Sequence, residues 1–397
     1  MRSDHRFRMS RSTPAQRWAA LAAAVTVLLS ACGGGAAPPA ATGGSPPGSA
    51  AKPAASSAAS ASAKPAASTA ASAKPAGSAS GKPAASAGAS AKPAAGGQKL
   101  TVSYSAIIGT VIPLWVADQT GIFQKNGLNV ELTFIESSKG IAALVSGQTQ
   151  FADIGGSETM SAVAGGADLV TLTVNSPVEP FILQVPASIK TPQDLKGKKL
   201  GVSNFGSASD IALREALDKV GLDPDKDVSI LAVGSSATRI AAMESGAIQG
   251  GMSFPPESLR LEQQGFHTLM DLASLRIPSV VSTDIVSRSF LQSNRATVQK
   301  FVDSMIEANA RARKDKPTVI DVLKKQFKSD DTHAMEVTYD FFMNSVIPPL
   351  PYPKAELYDS SKRILGAKNE AVKNFDAAKM IDDSFVKSAA DRGLDKG

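Results

Sequence analysis

The chain has 397 residues, 43% of them hydrophobic and 20% charged, with a formal net charge of +6 and a single cysteine. Ten of the 42 Lys and Arg but only one of the 36 Asp and Glu lie before residue 99, so the remainder carries 32 bases against 35 acids and presents no basic surplus for nucleic acid. With Cys32 as the lone cysteine, everything after it lacks a disulfide, a thiolate metal site and a cysteine nucleophile.

Met1 to Arg17 is basic, and Trp18 to Ala31 is apolar. That run falls short of the ~20 residues a transmembrane helix needs and has the length of a signal-peptide core. It ends Leu29, Ser30, Ala31, Cys32, which resembles the lipobox of bacterial lipoproteins: an aliphatic residue three before the cysteine, then small residues. The resemblance implies a signal peptide over residues 1–31, cleavage before Cys32, and lipid on Cys32 that holds an exported protein to the cell membrane. Beyond it the chain is almost entirely Ala, Ser, Gly, Pro and Lys, with Lys-Pro-Ala recurring at Lys52, Lys64, Lys74, Lys82 and Lys92. Such a segment cannot offset its ordering entropy. Residues 32–98 are therefore expected to be a disordered tether spanning roughly 40–50 Å on average.

The rest reads as alternating strands and helices. Leu100 to Ser105 is a first strand, and a helix starts near Pro113, with Trp115, Ile122 and Phe123 on its apolar side. Gly127 to Ile135 is a second strand. A helix from about Lys139 to Val145, a strand Phe151 to Ile154, a helix to Ala164 and a strand Leu169 to Val174 follow. Phe181 to Val185 is taken as a first crossing between two lobes. Thr191 to Leu195 is a capped turn, Lys199 to Ser203 a strand, and Ser207 with Asp210 has capping-box spacing before a helix carrying Leu213, Leu217 and Val220. Strands are expected over Val228 to Val233 and His267 to Asp271, and Ser279 to Val286 is the crossing back. Helices over 297–314, 317–327 and 331–344, then a proline-rich break and a last pair of helices, rejoin lobe one. The division is 99–183 for the first part of lobe one, 184–282 for lobe two and 283–397 for the return.

Two stretches repeat. Setting Ile141 on Ile240 without a gap, seven of eighteen positions agree through Glu158 and Glu257, among them Ser146 with Ser245, Gly147 with Gly246, and Gln150 with Gln249. Each copy reads as a serine-capped helix, a glycine stop, a short strand and a new helix start bearing a glutamate. Two such units predict two lobes of one plan, and open sheets bind ligands beyond the carboxyl ends of their strands.

Pro113 to Ala117, Gly121 to Phe123, Gly127 to Glu131, Leu195 to Val202 with Gly206 and Ser207, and Gly221 to Pro224 together resemble the SsuA-like solute-binding proteins, a superfamily that spans sulfonate receptors and thiamine-pyrimidine synthases. The resemblance implies an α/β, type II periplasmic-binding-protein fold with two lobes joined by two crossing strands. It also implies a monomeric receptor for an ABC permease and its ATPase, with no cofactor, no metal and no catalytic residues. The implied ligands are sulfonates, taurine, nitrate, bicarbonate or pyrimidine precursors. Two other readings stay open: a lipid-anchored sensor without a transporter, and a pyrimidine synthase, against which the cysteine-free body and unpaired His267 and His333 weigh.

Candidate ligand contacts are Ser105 and Ala106 after the first strand, Ser157 and Glu158 at the lobe-one helix start, and Asn175 at a strand end. In lobe two they are Gly206, Ser207 and Ser209, whose helix start suits an anion, with Phe254 and Glu257. Phe205 is a second stacking candidate, Ser176 a ligand or hinge residue, and Ser282 and Thr283 hinge positions. Acids in a first turn are favoured by the helix dipole alone. The alternative role for Glu158 or Glu257 is to meet an amine, since two carboxylates in one cleft would repel a bare sulfonate or nitrate.

Overall fold

The computed structural model describes residues 99–397. The expected signal peptide, lipidation at Cys32 and tether fall on residues outside those described.

Ten strands form two five-stranded sheets: β1 Lys99–Tyr104, β2 Asn129–Phe134, β3 Phe151–Ile154, β4 Leu169–Val174, β5 Ile182–Pro186, β6 Lys199–Val202, β7 Ser229–Ala232, β8 Gly250–Ser253, β9 Phe266–Asp271 and β10 Thr283–Ser287. The sheet of lobe one has the order β2-β1-β3-β10-β4, and that of lobe two β7-β6-β8-β5-β9. The two orders are the same. In each, the fourth strand runs antiparallel to both neighbours and is the one that has just arrived from the other lobe. The α/β architecture with two crossings is thus the one the resemblance implies.

The repeat is visible atom by atom. Its helices are Ser137–Val145 and Ser236–Glu244, ending at Gly147 (φ 77°) and Gly246 (φ 74°) in the left-handed conformation that glycine adopts at least cost. The Gln150 side chain accepts from the Thr101 amide at 2.8 Å and donates to the Gly147 carbonyl at 3.1 Å. Gln249 does the same for Lys199 (3.1 Å) and Gly246 (3.0 Å). Each glutamine thereby ties a helix stop to the first strand of its sheet. The serine caps differ: Ser235 accepts from the Thr238 amide at 3.3 Å, whereas the first copy starts at Glu136 with no side-chain cap.

Some expected elements shift. The return strand begins at Thr283 and not at Ser279, because 277–282 runs beside 175–179 as a second antiparallel ribbon. Here the Asn175 amide donates to Ser282 (2.9 Å), Ser279 to Pro177 (3.1 Å) and Glu179 to Ile277 (2.9 Å). These two paired segments are the connection between the lobes. The capping box at Ser207 also changes: Asp210 accepts from the Gly206 amide at 2.8 Å, one residue earlier than the spacing predicts, and Ser207 has no cap bond into its helix Ala208–Lys219. The expected first helix is a short one, Ile112–Gln119, followed after Gly121 by Ile122–Lys125.

The long helix Arg295–Lys314 packs on lobe one, with Phe301 stacked on Phe151 at 4.1 Å and on Phe123 at 5.9 Å. Trp115 is fully buried, edge-on to Tyr104 and Phe327. Helix Thr332–Phe341 runs on into a wider turn, Phe342–Val346, and the Phe342 ring lies so close to Gly109 that a Cβ there would fall 2.0 Å from it. The C-terminal segment does more than rejoin lobe one. Tyr358 is buried with Met160 and Val174, but the next helix, Asp359–Gly366, meets lobe two. Ser360 donates to Glu215 (2.7 Å), and Arg363 and Lys368 pair with Asp218 (3.1 Å) and Asp225 (2.8 Å).

Candidate functional site

Between the sheets lies a cleft of about 860 Å³, lined from both lobes. Ser105, Ala106 and Glu158 contribute from lobe one, and Ser207, Ser209, Phe254 and Glu257 from lobe two. Three other expected contacts do not line it. Ser157 is buried and spends its hydroxyl on Glu158 (2.7 Å). Asn175 is buried in the lobe connection and donates to two aspartates. Gly206 (φ 80°) gives its amide to Asp210. They hold lining residues and the connection in place from behind. Phe205 is 62% exposed and outside the lining, while Phe254, at 3%, packs against Phe181 and Phe342, so its ring is mostly core. His267 and His333 do not line the cleft.

The two glutamates are seated alike. Glu158 folds its carboxylate back over its own helix start, which is possible because Gly155 has no side chain: a Cβ there would lie 2.1 Å from Oε2. Its partners are Ser157, its own amide and Ser137. Glu257 accepts from its own amide and from Ser236 at 3.4 Å. Ser137 and Ser236 are equivalent in the repeat, as are the glutamates they serve. Burial raises both carboxyls, Glu257 to about 7, against the opposing pull of these donors and of Arg239 and Arg260.

Sequence reasoning missed three buried charged residues here, beside the more exposed Glu136, Arg260, Lys328 and Asp331 of the lining. Arg239 is 1% exposed and lines the lobe-two wall. Its Nε donates to the Met252 carbonyl at 2.7 Å and its Nη1 to Ser203 at 2.9 Å. Gly201 in β6 and Gly251 in β8 clear the way, since a Cβ on either would sit 3.1–3.3 Å from the Arg239 stem. Burial lowers its pKa to about 10, opposed by the Glu257 charge. The signal was present: Arg239 falls on Gly140 of the first copy, and glycines stand in two lobe-two strands.

The other two are Asp153, on the cleft floor, and Asp284, facing each other across β3 and β10. Asn175 Nδ2 donates to both, at 3.1 and 3.0 Å. Ser282 adds a bond to Asp153 (2.7 Å) and Thr173 one to Asp284 (2.6 Å). Burial and mutual repulsion raise Asp153 well above the carboxylate range, and burial raises Asp284 to about 6. A polar residue inside each apolar strand was the available clue. The site offers serine hydroxyls, a helix start without a side-chain cap, one buried guanidinium and several acids. Neither a cysteine nor a histidine stands among its lining residues.

The family model described as NMT1/THI5 like matches residues 109–317. YtlA of Bacillus subtilis (strain 168), named as a candidate binding protein, is 23% identical over 238 residues, 57% of this chain and 70% of YtlA. Among solved structures, the periplasmic aliphatic sulphonate binding protein SsuA from Escherichia coli superposes with a TM-score of 0.60 at 24% identity, covering 72% of this chain and 92% of SsuA. The desulfurization enzyme DSZB superposes at 0.57 and 18%, covering 74% and 99%. The backbone shared with both is the two-lobed periplasmic-binding-protein fold. The family match spans more than half the length, and the chain belongs to the NMT1/THI5-like family.

Proposed function

We propose that the protein is an extracytoplasmic solute receptor of an ABC importer, which closes its two lobes over a small polar organic solute. The observation that carries this reading is the cleft itself: about 860 Å³ is the size of a small-molecule site, and both lobes furnish its walls. Closure on a two-segment hinge lets each lobe contribute contacts and buries the solute, the device of periplasmic binding proteins. The likeness to SsuA and YtlA supports a receptor, and lipid on Cys32 with a long tether would keep such a receptor near its permease while it samples solute. DSZB shows that this fold also hosts an enzyme; the cysteine-free body and a cleft lining without histidine favour binding over catalysis.

A thermal-shift panel of sulfonates, aminosulfonates, pyrimidines, nitrate and bicarbonate tests the reading. A true solute at 100 times its dissociation constant stabilises by about 2.7 kcal/mol. Silence across the panel, or turnover of any member, contradicts it.

A further inference from the structure

We propose that the cleft selects a solute carrying a cationic nitrogen, ammonium or amidinium, held between Glu158 of lobe one and Glu257 of lobe two. This rests on the receptor reading and narrows its substrate class.

The two carboxyls stand at equivalent points of the repeat, each at the start of its own helix and each beside the equivalent serine, Ser137 or Ser236. Both line one cleft, so closure presents a solute with a carboxyl from either lobe. A helix dipole explains an acid in a first turn. It does not explain why Oε2 of Glu257 is buried with no hydrogen-bond partner. A buried acceptor of this kind ordinarily finds a donor, and Glu257 is a residue of the cleft lining.

Charge points the same way. Among the described residues neither glutamate forms an ion pair. Arg239 is the guanidinium buried beside Glu257, with its Nε and Nη1 bound to Met252 and Ser203, and the lining sets Glu136, Asp153, Glu158, Glu257 and Asp331 against Arg239, Arg260 and Lys328. A bare anion would enter against both carboxyls. A cationic nitrogen would bring charge-assisted N–H donors to them, the strongest form of the bond. Burial raises both acids, Glu257 to about 7, and a bound cation would oppose that shift.

The test is calorimetric titration and thermal shift with probes that differ only in –NH₃⁺ against –OH: 2-aminoethanesulfonate with 2-hydroxyethanesulfonate, 4-aminobutanoate with 4-hydroxybutanoate, and an ω-aminoalkyl pyrimidine with its alcohol. The amine of at least one pair should bind roughly 10- to 100-fold tighter than its alcohol. Glu257→Gln should remove most of that ratio, read as the amine's dissociation constant against the alcohol's within the same variant. Glu158→Gln, in the other lobe, is the independent second variant with the same expected outcome. If alcohols or bare anions bind as well as the amines, or both variants keep the ratio, the inference falls and the receptor reading stands. If no probe of this set or of the broader panel binds, both fall.

Discussion

Buried acids set how this protein responds to pH. Glu179, in the lobe connection, is fully buried, and burial, opposed by the Ser279 hydroxyl and reinforced by Glu215, pushes its carboxyl to about 8. Glu257 and Asp284 are raised to about 7 and about 6. Each folded pKa exceeds the unfolded value, so the native state binds the extra protons, and its advantage is lost as pH rises through those values. The melting temperature should therefore fall steadily between pH 5 and pH 8.5. Glu179→Gln should flatten that fall and stabilise by on the order of 2–4 kcal/mol at pH 8.5, with little change at pH 5. A wild-type melting temperature that rises over this range would contradict the assignment. Such residues are hard to read in a sequence. Arg239 and Asp153 look like ordinary helix and strand residues until the glycines facing one and the second aspartate facing the other are placed in space.

At the scale of elements the repeat was the most legible feature. Helix, glycine stop, strand and glutamate recur because each copy solves one local problem, and the matched Gln150 and Gln249 show how. Both should matter about equally. Gln150→Ala or Gln249→Ala removes a side chain holding two backbone groups and should cost about 1–2 kcal/mol each by urea denaturation, with the m-value unchanged. A loss in one copy and none in the other would mean that the repeat is not mechanically equivalent. Capping was less legible. The spacing of Ser207 and Asp210 permits a box, but the left-handed Gly206 turns its own amide toward Asp210 and takes the bond. Ser207 and Ser209, 3.1 Å apart, are left facing the cleft. Strand ends slipped near Ser279 because hydrophobic alternation does not distinguish a sheet strand from a ribbon between lobes.

For the whole molecule, the crossing strands explain why two sheets of the same order arise from one chain: each lobe lends the other its antiparallel strand. The C-terminal helix Asp359–Gly366 adds a further tie that local pattern did not foretell, since only the fold brings Arg363 and Lys368 to Asp218 and Asp225. Those exposed ion pairs are worth about 0–1 kcal/mol each, so the tie orients the lobes more than it stabilises them. The ribbon of 175–179 against 277–282 joins the lobes, and closure would turn on it. Small-angle X-ray scattering, with and without a compound that raises the melting temperature, tests that most directly. The radius of gyration should be smaller in the bound state and return to its unbound value when the compound is dialysed away. An unchanged radius with saturating compound would contradict closure of two lobes over a solute.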